Sequence, residues 1–156
     1  WVKKPQYMSI IRNFVNVIFL PIYYLTAERF IVTGISMEPT FTDGSSVFVS
    51  KIYYRLNKIK FNDVVVVSNH KNVRIDIKRI IGMPLDKLSI SKTSLLINGN
   101  QLIDLKFLNT IGKEDYESNL ELDKEEYFVL GDNHIHSSDS RHYGPVNKKQ
   151  IIGKVL

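Results

Sequence analysis

Two residues of this chain are suited to bond-making chemistry: a serine in Gly34-Ile35-Ser36-Met37-Glu38-Pro39-Thr40 and a lysine in Ile77-Lys78-Arg79-Ile80-Ile81-Gly82. A serine hydroxyl attacks a carbonyl at neutral pH only when a nearby group removes its proton, and lysine recurs as that base on unrelated folds. The lysine must then be neutral, whereas a free one has a pKa of ~10.4. Burial lowers that value by up to ~3–5 units. Ile75, Ile77, Ile80 and Ile81 offer an apolar surround, although strict alternation puts Lys78 on the face opposite Ile77. By pattern alone, Lys78 also fits a solvated position on the outer face of a strand, and Ser36 a plain turn. Arg79 does not compete as a base, because a guanidinium stays charged. A third segment, Gly131-Asp132-Asn133-His134-Ile135-His136-Ser137-Ser138-Asp139-Ser140-Arg141, has the composition of two turns in tandem.

The three segments, in this order, resemble those of the type I signal peptidases, and the likeness extends from about Phe30 to Val155. Between them stand a valine run, Asn62-Asp63-Val64-Val65-Val66-Val67, and an Asn98-Gly99 hairpin, placed as in that family. The resemblance implies a membrane-bound serine endopeptidase of a minimal, Gram-positive-like kind, with Ser36 as nucleophile and Lys78 as base. It further implies that Ser137 orients the Lys78 amine, that Asp139 and Arg141 form a charge pair fixing the loop, and that Asp132 joins the same network. Phe30, Val32, Met37 and Ile77 match positions lining shallow apolar pockets. Such pockets take small side chains at the first and third positions before the cut and reject large ones by clash. The implied partners are signal-peptide-bearing precursors and membrane lipid. Pilin subunits become partners if the chain is instead an assembly factor of the kind encoded with Gram-positive pilus genes. A self-cleaving serine–lysine repressor domain is a third reading, opposed by the apolar N-terminus and the Gly131–Arg141 segment.

Two positions depart from the family pattern. Gly34 stands where many members carry a serine that helps bind the oxyanion, leaving the Ser36 N–H as the main candidate donor. Leu85 stands where a glycine is usual in the turn after the lysine segment.

The elements that must position these groups read as short strands: Val47–Val49, Val64–Val67, Arg74–Ile80, Leu88–Ile90, Leu95–Ile97, Gln101–Ile103, Tyr127–Leu130 and Ile151–Val155. Asn98-Gly99 predicts a type I′ hairpin. The polar, acidic stretch from Lys113 to Glu126 reads as an exposed connection. The expected fold class is mainly β, a small antiparallel, barrel-like catalytic domain over residues 29–156, preceded by a membrane anchor over residues 1–28. From Asn13 to Ala27 no residue is charged and most are apolar, short of the ~20 usual for a full span but flanked by Arg12, Glu28 and Arg29. Lys3, Lys4 and Arg12 before it place the N-terminus in the cytoplasm and the catalytic domain on the extracytoplasmic side.

A chain of 156 residues, 44% hydrophobic, supports one domain with a real core. The absence of cysteine excludes disulfides, thiolate metal sites and cysteine-protease chemistry. The net charge of +5 fits an anionic bilayer better than nucleic acid, since no nucleic-acid-binding motif accompanies it. His70, His134, His136 and His142 lack metalloprotease spacing and read as surface loop residues, so neither cofactor nor metal is expected.

Overall fold

The valine run sets the architecture. In the computed structural model, which describes residues 22–69, 74–91, 94–104 and 118–156, it forms the centre of β3 (Val64–Asn69), and Val65, Val66 and Val67 are all fully buried. A strand covered on both faces has no polar side, so alternation disappears from its sequence. One face packs Val65 and Val67 with Ile59, Ile80, Tyr127, Val129 and Val146. The other packs Val66 with Val32, Val47, Val49 and Val155, and Phe30 and Ile77 lean on that cluster.

Around β3 lies a seven-stranded sheet in the order β1-β2-β11-β3-β4-β9-β10, antiparallel at each pairing. Its other strands are β1 (Ala27–Ile31), β2 (Ser46–Ser50), β4 (Arg74–Gly82), β9 (Glu126–Leu130), β10 (Val146–Asn147) and β11 (Ile151–Val155). The second sheet has the order β7-β6-β5-β8, from β5 (Lys87–Ile90), β6 (Ser94–Ile97), β7 (Asn100–Asp104) and β8 (Ser118–Glu121). Leu88, Ile90 and Leu95 face Ile81, Leu122, Phe128 and Leu130, which joins the small sheet to the end of β4 and to β9. Asn98 and Gly99 both have positive φ, 52° and 79°, as the expected hairpin turn requires.

The mainly antiparallel β class is as the sequence indicates, with three differences. β8 and Leu122 lie inside the stretch read as an exposed connection. Leu120 and Leu122 alternate toward the core, and pairing with β5 outweighs the polar residues between them. Ala27 and Glu28, at the end of the presumed anchor, open β1 and pair with Ser50 and Val49. β10 is too short to leave a periodic signal.

Of the apolar N-terminal segment, residues 1–21 lie outside the described residues. No helix among the described residues is long and apolar enough to cross a membrane. Residues 22–25 are helical, and Tyr23 on that turn is buried. Asn57 donates to its hydroxyl at 2.7 Å, and its ring lies 4.9 Å from that of Tyr53. Lys154 of β11 sits 4.7 Å above the Tyr53 ring and 2.6 Å from the Asp63 carboxylate, so the turn is fastened to the seven-stranded sheet.

Candidate active site

Ser36 lies in the connection between β1 and β2, within a run of turns whose Glu38–Pro39 peptide is cis. Gly34, two residues earlier, has φ +85°, and its N–H donates to Asp43 Oδ1 at 2.7 Å. A Cβ at this position would meet no neighbour, so backbone conformation and not crowding favours glycine. The Ser36 carbonyl accepts from the Asn133 N–H at 3.0 Å, tying the serine loop to the Gly131 loop. No described group accepts the Ser36 N–H.

Lys78 is on β4, opposite Val65 of β3. Strand parity gives it the face away from Ile77, as alternation requires, yet only 2% of it is exposed. Two loops meet beside it, the one that carries Ser36 and the one after β9, whose Asn133 N–H bonds to the Ser36 carbonyl. Lys78 Nζ lies 3.2 Å from Ser36 Oγ. Two residues 42 positions apart are thus within proton-transfer reach, with the amine withdrawn from water.

Gly131 shows how tightly the loop closes over them. A Cβ there would lie 2.2 Å from Ser137 Oγ and 2.5 Å from the Ser36 carbonyl oxygen. Only a residue without a side chain lets the Ser137 and Ser36 segments approach together. Ser137 is buried, and its hydroxyl makes no hydrogen bond of ordinary distance and angle, although it sits close enough to Asp139 to help hold that carboxylate ionised.

Asp139 and Arg141 form the loop's internal clamp. Arg141 donates from Nε to Asp139 Oδ1 and from Nη2 to Oδ2, both at 2.8 Å, and Nη2 also donates to the His134 carbonyl at 2.8 Å. The Gly131 N–H donates to Asp139 Oδ2 at 3.1 Å. Burial alone would raise the Asp139 pKa. The bonds and charge of Arg141, with the Gly131 N–H and Ser137, outweigh it and hold the carboxyl below the usual range.

Asp132 belongs to a separate pair. Arg79 donates to its two oxygens at 2.8 and 2.7 Å, Thr40 donates to Oδ2, and Arg79 reaches the Asn62 carbonyl at 3.1 Å. Burial opposes ionisation of Asp132 as well, and Arg79 and Thr40 overcome it. This second clamp joins the serine loop, the lysine strand and the Gly131 loop. Nothing in the spacing of Arg79 and Thr40 along the sequence shows which carboxylate they meet.

Phe30, Val32, Met37 and Ile77 line one cavity of about 230 Å³ that also contains Ser36. The sequence reading missed Ile31, Thr33, Ile75 and Asp76, which complete its lining. Of the histidines, His136 and His142 are exposed and His70 lies outside the described residues. His134 differs from a plain surface residue: it is half-buried, with its ring Nδ1 2.8 Å from the Gly131 carbonyl. Among the described residues no cluster of three His, Asp or Glu could hold a metal ion.

A buried lysine against a serine, in a cleft between two strands of an antiparallel β domain, defines a serine–lysine hydrolase type of site. The family described as signal peptidase, peptidase S26, matches residues 6–156, and the chain belongs to it. Signal peptidase I V of Bacillus subtilis strain 168 is 34% identical over 136 residues, covering 80% of each chain. Signal peptidase IB of Staphylococcus aureus strain Mu50 is 37% identical over 150 residues, covering 81% of this chain and 77% of its own. A signal peptidase I crystal structure from Enterococcus faecalis V583 aligns at a TM-score of 0.49 and 29% identity, over 64% of this chain and 97% of its own.

Proposed function

We propose that this protein removes signal peptides from exported precursors as a serine endopeptidase, with Ser36 as nucleophile and Lys78 as general base. The observation that carries the assignment is the 3.2 Å approach of the buried Lys78 amine to the Ser36 hydroxyl, which lines the cleft. In the reactive state the Ser36 O–H donates to the neutral amine. Lys78 takes the proton as Oγ bonds to the scissile carbonyl carbon, and the carbonyl electron pair moves to oxygen. The Ser36 N–H, unclaimed by any described acceptor, is the donor available to that oxyanion. Collapse of the tetrahedral intermediate breaks the C–N bond, and the Lys78 ammonium returns a proton to the leaving amine. Water, deprotonated by the same amine, then releases the acyl group and restores Ser36.

Ser137, Asp139, Arg141 and Asp132 act as positioning residues in this reading. The buried Ser137 hydroxyl beside Gly131 is available to orient Lys78, and the two carboxylate clamps hold the loops that carry it. Substrate binding follows from a free strand edge. β9 pairs with β4 only from Arg79 onward, so the Arg74–Lys78 half is open on that side among the described strands. An extended peptide adding there sends alternate side chains toward Phe30, Val32, Met37 and Ile77.

The apolar stretch that begins at Asn13 serves as an anchor that keeps the cleft on the extracytoplasmic side of a membrane, against lipid, and it ends before Tyr23, which is buried against Tyr53, and Ala27, which pairs with Ser50 in β1. What supports this is the uncharged run itself, with Lys3, Lys4 and Arg12 ahead of it. The relatives named above are peptidases, and nothing in the cleft favours the pilus-assembly alternative with pilin partners. The test is to incubate detergent-solubilised protein with a precursor peptide bearing small residues at the first and third positions before the cut. Mass spectrometry should find one cleavage after the small residue; an intact peptide from folded protein would contradict the reading.

A further inference from the structure

The cleft that holds Ser36 is lined by polar as well as apolar surface, and one of its polar groups is a carboxylate. Asp76 lines it together with Phe30, Val32, Met37 and Ile77. It is half-buried, and its charge acts on Tyr143. A carboxylate kept partly out of water loses hydration, which a cationic ligand group would offset.

Strand parity states which part of a bound peptide meets it. Asp76 pairs with Val67 and Ile77 with Val66, and those two valines belong to clusters on opposite faces of the sheet. Ile75 and Ile77 therefore face the side where Phe30 and Val32 lie. Asp76 and Lys78 face the other side, where Tyr143 feels the Asp76 charge. A strand docked on the open edge of β4 alternates in the same way. If its first and third residues before the cut enter the apolar side, the second projects toward the Asp76 side.

We propose that Asp76 is a specificity residue that favours precursors carrying lysine or arginine at the second position before the cut and disfavours aspartate or glutamate there. The inference rests on the peptidase reading and deepens it, because it names a charge preference that the small-residue rule leaves open. The alternating register excludes the first and third positions, where a long basic side chain would clash with the apolar wall.

Three precursor peptides, identical except for Lys, Gln or Glu at that second position, test it with the full-length protein in detergent. The expected order of kcat/KM is Lys above Gln above Glu. The Lys-to-Glu ratio should be about fivefold, the size of a partly exposed ion pair together with the matching repulsion. It should shrink in about 0.5 M salt, where the Debye length falls to a few ångströms. In Asp76→Asn the ratio should fall to near one. The ratio is the readout, so a general loss of rate in the variant cancels. The wild-type ratio and its salt dependence stand as evidence without the variant. Equal cleavage of all three peptides by the wild-type protein, or an unchanged ratio in Asp76→Asn, overturns the role of Asp76 and leaves the peptidase reading intact. No cleavage of any of the three overturns both.

Discussion

Lys78 is buried, and burial works in the direction the chemistry needs. A lysine in water at neutral pH holds its proton, so the dyad runs only if withdrawal from solvent favours the neutral amine. The rate of precursor cleavage should therefore rise from acid toward mildly alkaline pH, with a midpoint below the ~10.4 of a free lysine. A kcat/KM profile with no such limb would be at odds with a lysine base. Zinc chelators and histidine-directed reagents should leave the rate unaltered, because no imidazole or metal enters the step. Ser36→Ala should remove at least ~10³-fold of the rate, as loss of an attacking group does in comparable hydrolases. Ser137→Ala should cost less, since a positioning hydroxyl never bonds to substrate. A rate equal to wild type in that variant would mean that Ser137 does not act on Lys78. Ser36 and Lys78, which the structure brings within 3.2 Å, stand out in the sequence because each sits in a distinctive local motif. Their surroundings do not: Arg79 lies next to Lys78 in sequence, yet meets Asp132 from a loop 53 positions away.

Among the elements, the Gly131 loop and the turn after β4 show what backbone geometry demands. Gly131→Ala places a methyl on Ser137 and on the Ser36 carbonyl, and displacement of either by about 1 Å should cost roughly 10²-fold in cleavage rate. Near wild-type activity in this variant would contradict the loop packing. Leu85 occupies the turn position where glycine is usual, and its φ of 70° is the left-handed conformation that glycine adopts without strain. The turn is preserved and Leu85 bears the strain, so Leu85→Gly should stabilise the fold by about 1 kcal/mol in denaturant unfolding. A destabilised variant would show that the partly exposed leucine side chain outweighs its backbone strain. The strands were readable where residues alternate or where β-branched residues run together, as in β4 and β3. β8 was not, because its polar residues become a strand only through pairing with β5, a contact no local pattern encodes.

For the whole molecule, the two clamped carboxylates link the site to the fold. Asp139 and Asp132 are held below the range of unfolded carboxylates, so the stability they confer is fully present above about pH 4 and lost as pH falls through their folded values. Acid unfolding should soften accordingly in Asp139→Asn. At neutral pH that variant, which breaks a buried pair with Arg141, should lose about 3–5 kcal/mol in denaturant unfolding. An unchanged acid midpoint would detach the clamp from stability. Tyr23→Ala should lower the melting temperature through about 3 kcal/mol of lost packing, since its ring is buried between the N-terminal turn and Tyr53. The proposed site is a product of the global fold: it assembles from a loop after β1, the middle of β4 and the loop after β9. The central claim is that this assembly makes Lys78 the base for Ser36. The most direct test is the precursor-cleavage rate of Lys78→Met, a substitution of similar length without a titratable group, in protein whose unfolding curve matches the wild type. Cleavage at the uncatalysed background is the predicted result; a rate near wild type would contradict the account.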